Sequence, residues 1–317
     1  MTRFRSSPAA GRSAGPRGRG GAATLLLAPF FLLFAAVVVA PVGYALYLSL
    51  WTEHTSGLGF GGAQQVFSGL GNYTRVLGDA AFRNGFLVTA GYCALYIPLM
   101  LGAALGLALL IDSTLARARR FFQLALFLPH AVPGLVAALV WVYLYTPGIS
   151  PVIGALGGAG VHLDFLSSGF TLPSIVNIAV WEWTGYNMVV LYAALQAIPR
   201  ELLEAATIDG ASAVRTARSV KLPLIRPSLV LTTLFTVIGS LQLFTEPMIL
   251  HGSSASVIST WTPNMYAYSA AFDRNDYGLA AAASVLLALV AAALSFTVTR
   301  LGARRSSGTA RSGEAAA

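Results

Sequence analysis

Long apolar stretches separated by short polar ones dominate the chain, and their length decides how they are read. Runs at 24–50, 82–111, 121–146, 172–197, 228–250 and 277–299 each reach the roughly 20 helical residues that cross the hydrocarbon core of a bilayer. The pattern predicts an all-α integral membrane fold of six transmembrane helices, with a membrane domain at 24–300. The first run is longer than the apolar core of a signal peptide, about 7 to 15 residues, so it reads as a retained span. Pro41 is placed to kink it. Pro129 and Pro133 should bend or locally unwind the third run, which a membrane tolerates only where protein or a cavity satisfies the freed carbonyl groups. His130, between them, reads first as a neutral packing residue and second as a functional one.

One long polar segment, 199–227, is trapped between the fourth and fifth runs. Pro199 suits the first turn of a helix, and Glu201 and Glu204 follow where a helix N-terminus favours negative charge. Asp209 and Gly210 stop that helix, Gly210 being able to take the left-handed conformation that closes it. Ser212 is placed to cap a second short helix running toward Leu222 and Pro223. The pair would turn Leu202, Ala205, Ala206 and Ile208 outward as a docking element. An ordinary amphipathic loop packed on its own protein is the other reading of the same residues.

Composition supports the membrane assignment and removes several function classes. With 56% apolar and 10% charged residues among 317, the chain has too few charges for a soluble surface of this size. A single cysteine, Cys93, excludes an internal disulfide and an all-cysteine metal site, and reads as a small apolar residue within a span. Lys221 is the only lysine and is not set in a Gly-x-x-x-x-Gly-Lys-Ser/Thr loop, so no phosphate-binding Walker loop exists. His-Glu-x-x-His and Gly-x-Ser-x-Gly patterns are also missing. The chain therefore reads as a non-enzyme with no catalytic residue, metal or cofactor of its own. Residues 1–23, with five arginines and no acid, and the Arg/Ser/Ala tail 301–317 read as disordered.

Six spans put both termini on one side. Of the 20 Lys and Arg residues, 17 flank that side and only Arg75, Arg83 and Arg274 the other, so both termini and the 199–227 loop are expected in the cytoplasm, in a cell (inner or plasma) membrane. The net charge of +8 is spread over separate membrane-flanking segments. It points to lipid as a neighbour and not to nucleic acid.

Polar residues inside apolar runs mark a candidate solute path. The fourth run carries Trp181, Glu182 and Trp183, with Tyr186 and Asn187 one turn on. A carboxylate at mid-span costs about 2.5 to 3.5 kcal/mol on insertion scales, so Glu182 should face a partner or water. Helical spacing puts Glu182 with Tyr186 and Trp183 with Asn187 on one broad face. Aromatic faces beside carboxylate and amide groups are what a sugar needs; an interfacial aromatic belt with a paired Glu is the plainer reading. Gln242 and Glu246 on the fifth run join the same cavity or stand at its outer mouth.

A family resemblance runs through the same landmarks. Glu204, Ala205 and Ala206, then Gly210, then Val220, Leu222 and Pro223 fall at the spacing of the EAA signature (EAA, three residues, G, nine residues, I-x-L-P) of binding-protein-dependent ABC importer permeases. Val220 replaces isoleucine, and Val214 and Ala217 stand where the family often carries a large aromatic. The strings GLGNYTRVL with FRNGFLVT, LPHAVPGLVAALVWVYLY and YGLAAAASVLL are similar to elements of the sugar-uptake branch, the maltose and glycerol-phosphate type. The resemblance covers 24 to about 300. It implies that Glu204, Ala205, Ala206, Asp209, Gly210, Val220, Leu222 and Pro223 form the coupling loop between spans four and five. It also implies a second homologous permease, an ABC ATPase dimer that binds ATP and magnesium, and an extracytoplasmic solute-binding protein as partners. An ion-coupled secondary transporter, which also uses kinked spans and midplane polar residues, is the alternative from another class.

Overall fold

The computed structural model describes residues 19–55, 63–113, 117–160 and 163–314; the expected tail residues 1–18 and 315–317 lie outside them. The chain divides into two compact units, 1–47 and 48–317. In the first, helix α1 (Arg19–Phe34) passes through a π-helical turn at Ala35–Val39 into α2 (Ala40–Ser49). The wide turn stands just before Pro41, which has no N–H to continue the i→i−4 ladder.

Two short strands follow, β1 (Trp51–Thr55) and β2 (Ala63–Phe67), paired antiparallel with Trp51 opposite Phe67. They correct the all-α expectation locally. Aromatic and β-branched residues at 51, 52, 55, 66 and 67 favour this pairing, and the Trp51 and Phe67 rings meet edge to face at 5.5 Å.

The helices of the second unit are α3 (Gly71–Gly78), α4 (Ala80–Asp112), α5 (Arg119–Phe127), α6 (Gly134–Tyr145), α7 (Pro151–Gly158) and α8 (Thr171–Gln196). Then come α9 (Arg200–Ile208), α10 (Ala213–Thr216), α11 (Leu222–Leu224), α12 (Arg226–Leu241), α13 (Thr245–His251), α14 (Pro263–Phe272) and α15 (Tyr277–Glu314). Helices α7 and α14 lie in segments that the sequence marks as loops. Ser150 and Thr262 accept from the backbone N–H groups of Ile153 and Met265, and Pro151 and Pro263 open the helices, a cap and proline combination that starts a helix even in a short segment.

Among the described residues, four helices are long and apolar enough to cross a membrane: Leu25–Ser49, Ala80–Asp112, Arg226–His251 and Tyr277–Arg300. A fifth candidate is the pair Arg119–Ala131 and Gly134–Tyr145, bent by 93° at the break. There Pro129 sits in a 3-10 turn at Leu128–Ala131, and Val132 and Pro133 are extended before α6 begins. The expected fourth span, α8, has the length, 26 residues, but not the apolarity. Ser174, Glu182, Thr184 and Asn187 are buried within the protein, and a helix enclosed by others need not match lipid. Helix α15 continues past the expected end at 299 as far as Glu314, because no proline follows to stop it.

The core is built on α4 against α8, which pack over a longer stretch than any other pair. Tyr92, Tyr96, Met100, Ala104 and Ala108 recur every four residues on α4 and face Ile175, Ile178, Ala179, Met188, Leu191 and Leu195 of α8. The small Ala104 and Ala108 let the helices approach closely. A second cluster joins Val76, Phe82, Tyr266, Ala270, Leu279, Ala282 and Ala283. Beside it, Asn72 donates to the carbonyl oxygens of Ser49 and Trp51 at 3.0 and 2.8 Å. Gly278 lies so close that a Cβ would stand 2.1 Å from the Trp51 carbonyl oxygen and 2.8 Å from the Asn72 amide nitrogen. The Asn72-Tyr73 and Tyr277-Gly278 pairs of the sequence strings thus meet in one junction.

The fifth apolar run is interrupted. Helix α12 ends at Leu241, and α13 begins at Thr245. Pro247 has no N–H to offer the Leu243 carbonyl and its ring crowds that group, so the helix cannot run through. Residues 262–264 supply the missing donors: Asn264 Nδ2 donates to the Leu241 carbonyl at 2.8 Å, and Thr262 Oγ1 to the Leu243 carbonyl at 3.2 Å.

Candidate functional site

Helix α8 is positioned by a contact that only glycine permits. At Gly185 a Cβ would stand 1.7 Å from the Leu126 carbonyl oxygen, so α8 crosses the end of α5 backbone to backbone. That crossing sets the height of Glu182, Trp183, Tyr186 and Asn187. Glu182 is only 7% exposed, and its Oε2 has no hydrogen-bond partner among the described residues. It lies where α6 begins: a Cβ at Gly134 would be 3.5 Å from Glu182 Oε1. The 93° break therefore brings the N-terminus of a 12-residue helix to the carboxylate, an end that favours negative charge.

These residues open onto a cavity of about 360 Å³ between α4, α8, α12 and α13. Glu182, Trp183, Tyr186 and Asn187 line one side, and Gln242 and Glu246 the other. The break between α12 and α13 separates Gln242 from Glu246, which were expected one turn apart on a continuous helix, yet both still face the cavity. Trp181 does not. Its ring packs edge to face on Trp141 at 5.8 Å. Asn187 donates to the Trp183 carbonyl at 3.0 Å, leaving its amide oxygen to other partners.

Sequence reasoning missed Tyr92 and Tyr96 of α4, whose rings stack at 5.1 Å, and Thr236, Ser240 and Phe244. Two tyrosines four apart on an apolar helix carry no signal that separates a cavity wall from core. The His130 ring packs 4.7 Å from Trp183 and 4.6 Å from Tyr186, and its Nδ1 is buried without a hydrogen bond among the described residues. It braces the aromatic wall and does not line the cavity.

The polar loop is well formed. Helix α9 closes through Gly210 at φ +73°, with the Gly210 N–H bonded to the Thr207 carbonyl and the Ala211 N–H to the Ala206 carbonyl, each at 3.0 Å, a Schellman closure. Ser212 accepts from the Arg215 N–H, and a π-helical turn at Ala217–Lys221, which includes Val220, leads into α11 with Leu222 and Pro223. Glu204, Ala205, Asp209 and Ile208 are exposed, Ile208 at 86%. Ala206 is not: at 9% exposure it faces inward, which corrects the expected outward set. A helix of this amphipathicity has one face to show, and Ala206 is on the other. Lys221 Nζ pairs with Asp112 at the end of α4 at 2.5 Å, and Asp112 also accepts from Gln196 at the end of α8 at 2.6 Å.

Residues 100–307 match the family described as the binding-protein-dependent transport system inner membrane component. The chain belongs to this family. The lactose transport permease of Rhizobium radiobacter is 31% identical, over 86% of this chain and 91% of its own length. The trehalose transport permease of Mycobacterium tuberculosis is 32% identical over 88% of each chain. The sn-glycerol-3-phosphate transport permease of Yersinia pseudotuberculosis is 33% identical, over 84% and 89%. Among solved structures, a bacterial ABC transporter that imports alginate superposes with a TM-score of 0.78 at 20% identity, over 90% of this chain and 96% of that one. The same kind of transporter, in complex with its alginate-pentasaccharide-bound periplasmic protein, gives 0.74 at 18%. These relatives are transport permeases, and the permease described here is a multi-pass membrane protein. Family membership sets aside the ion-coupled secondary transporter.

Proposed function

We propose that this chain is one permease half of an ATP-driven importer of a sugar or related polyol, with its solute path through the cavity at Glu182. Sugar, polyol phosphate and polysaccharide transport among the relatives and fold neighbours supports the class of cargo. The observation that carries the reading is the convergence of Glu182, Trp183, Tyr186, Asn187, Gln242 and Glu246 on one cavity. It joins aromatic faces, on which sugar rings stack, to acceptors for hydroxyl groups. Six spans, counting the bent pair and α8 as one each, would carry both termini to the cytoplasm of an inner or plasma membrane. The loop from Glu204 to Pro223 would dock on the ATPase, presenting Leu202, Ile208 and Val214, all exposed. A second homologous permease would complete the path, the ATPase pair would bind ATP and magnesium, and an extracytoplasmic binding protein would deliver solute, a reading supported by the pentasaccharide-bound periplasmic protein in the alginate complex.

Glu182→Ala should abolish or narrow uptake while the subunits still co-purify; unchanged uptake kinetics would remove Glu182 from the path. Gly210→Val places a β-branched residue at φ +73°, a strain of about 1 to 2 kcal/mol, and breaks the bend between α9 and α10. ATP hydrolysis should then continue with uptake lost, measured as solute moved per ATP in proteoliposomes. A normal ratio would count against the coupling role of this loop.

A further inference from the structure

The relatives span neutral sugars and a phosphorylated polyol, and the fold neighbour takes an acidic polysaccharide, so the charge of the cargo is open at the level of family. The cavity wall bears on it directly. It carries two carboxylates, Glu182 and Glu246, and no Lys, Arg or His among its lining residues. We propose that this permease's half of the path admits uncharged hydroxyl-rich solutes and rejects anionic ones, with Glu182 and Glu246 as the selecting residues.

The chemistry is one of matching donors to acceptors. Glu182 is buried, and its Oε2 lacks a donor among the described residues; a buried acceptor of this kind is satisfied by a donor or by water. A sugar hydroxyl supplies the donor. A phosphate or carboxylate group supplies only further acceptors and a like charge, in a cavity small enough that a solute lies near both glutamates. Discrimination of this kind rests on building repulsion against the wrong ligand as well as contacts to the right one. The remaining wall adds no compensating cation: Tyr92, Tyr96, Trp183, Tyr186, Phe235 and Phe244 offer ring faces and hydroxyls. His130 packs on Trp183 and Tyr186 and is not among the lining residues. No Lys or Arg among the described residues lines this cavity.

The inference rests on the cavity being a solute site, and the test separates the two. The chain is purified from its native membranes with the subunits that accompany it, and solute contact is read by saturation-transfer NMR. The probes are glucose, lactose and trehalose against glucuronate and sn-glycerol 3-phosphate. At least one neutral sugar should give signal, and both anions should bind on the order of tenfold more weakly or worse. Glu182→Gln with Glu246→Gln keeps shape and hydroxyl acceptors while removing charge, and should raise anion binding about tenfold; each single change should give part of the gain. Anions bound by the unaltered protein as well as sugars, or no gain in the double variant, would overturn the charge selection alone. Silence from every probe in both forms would overturn the cavity as a solute site, and the selection with it.

Discussion

Gly185→Ala should cost the permease its assembly. A Cβ at this position would lie 1.7 Å from the carbonyl oxygen of Leu126, 2.4 Å from its carbonyl carbon and 3.0 Å from the amide nitrogen of Phe127. All three are backbone atoms, so no side-chain rotation relieves the overlap, and α8 must move away from α5. Overpacking against side chains typically costs about 1 to 3 kcal/mol, and a helix displaced as a whole should reach the top of that range or pass it. The loss should appear as a lower melting temperature in fluorescence-detected size exclusion and as reduced yield in membranes. Gly106→Ala is the control, since nothing lies within 4 Å of a Cβ there and alanine favours the helix. Equal melting of the two variants would show that the crossing tolerates a methyl group. The consequence reaches the cavity because Glu182, Trp183, Tyr186 and Asn187 are carried within one turn of the displaced residue.

The second large effect is expected from the only lysine. Lys221 and Asp112 are mostly buried and 2.5 Å apart, and Gln196 holds the other oxygen of Asp112. This cluster fastens the polar loop to the ends of α4 and α8, the two helices that form the core and two walls of the cavity. Lys221→Ala leaves a buried carboxylate with one neutral donor, and breaking such a pair from one side costs about 3 kcal/mol. The loop should loosen: hydrogen exchange at 200–225 should accelerate, and solute moved per ATP should fall while the ATPase remains bound. Lys221→Met combined with Asp112→Asn removes both charges and should recover much of the exchange protection, the non-additive result that marks a direct pair. Unchanged exchange in Lys221→Ala would sink the idea that this pair fastens the loop.

What could be read from the chain alone divides along physical lines. Apolar length announced four of the spans and the bent pair, and Pro129 with Pro133 announced the break in the third. Glu182 and Glu246 stood out because a carboxylate in an apolar run demands an explanation. Trp181 was drawn in by its neighbours, but its direction depends on Trp141 of a helix 40 residues earlier. The inward turn of Ala206 and the cavity face of Tyr92 and Tyr96 likewise depend on packing partners that periodicity does not name. The Pro247 break was missed because a proline near the end of a run usually just ends it. Lys221 and Asp112, 109 residues apart, carry no local pattern at all.

The break at 242–244 gives the permease a mechanical property that an unbroken helix would lack. Its two bared carbonyls are held by Asn264 and Thr262, so two of the hydrogen bonds that keep this wall in shape come from another segment and not from the helix itself. A shift of residues 262–264 would therefore bear on Leu241 and Leu243, which flank Gln242 and precede the short helix bearing Glu246. The segment 262–264 and one wall of the cavity are thereby tied together at the interruption in the span.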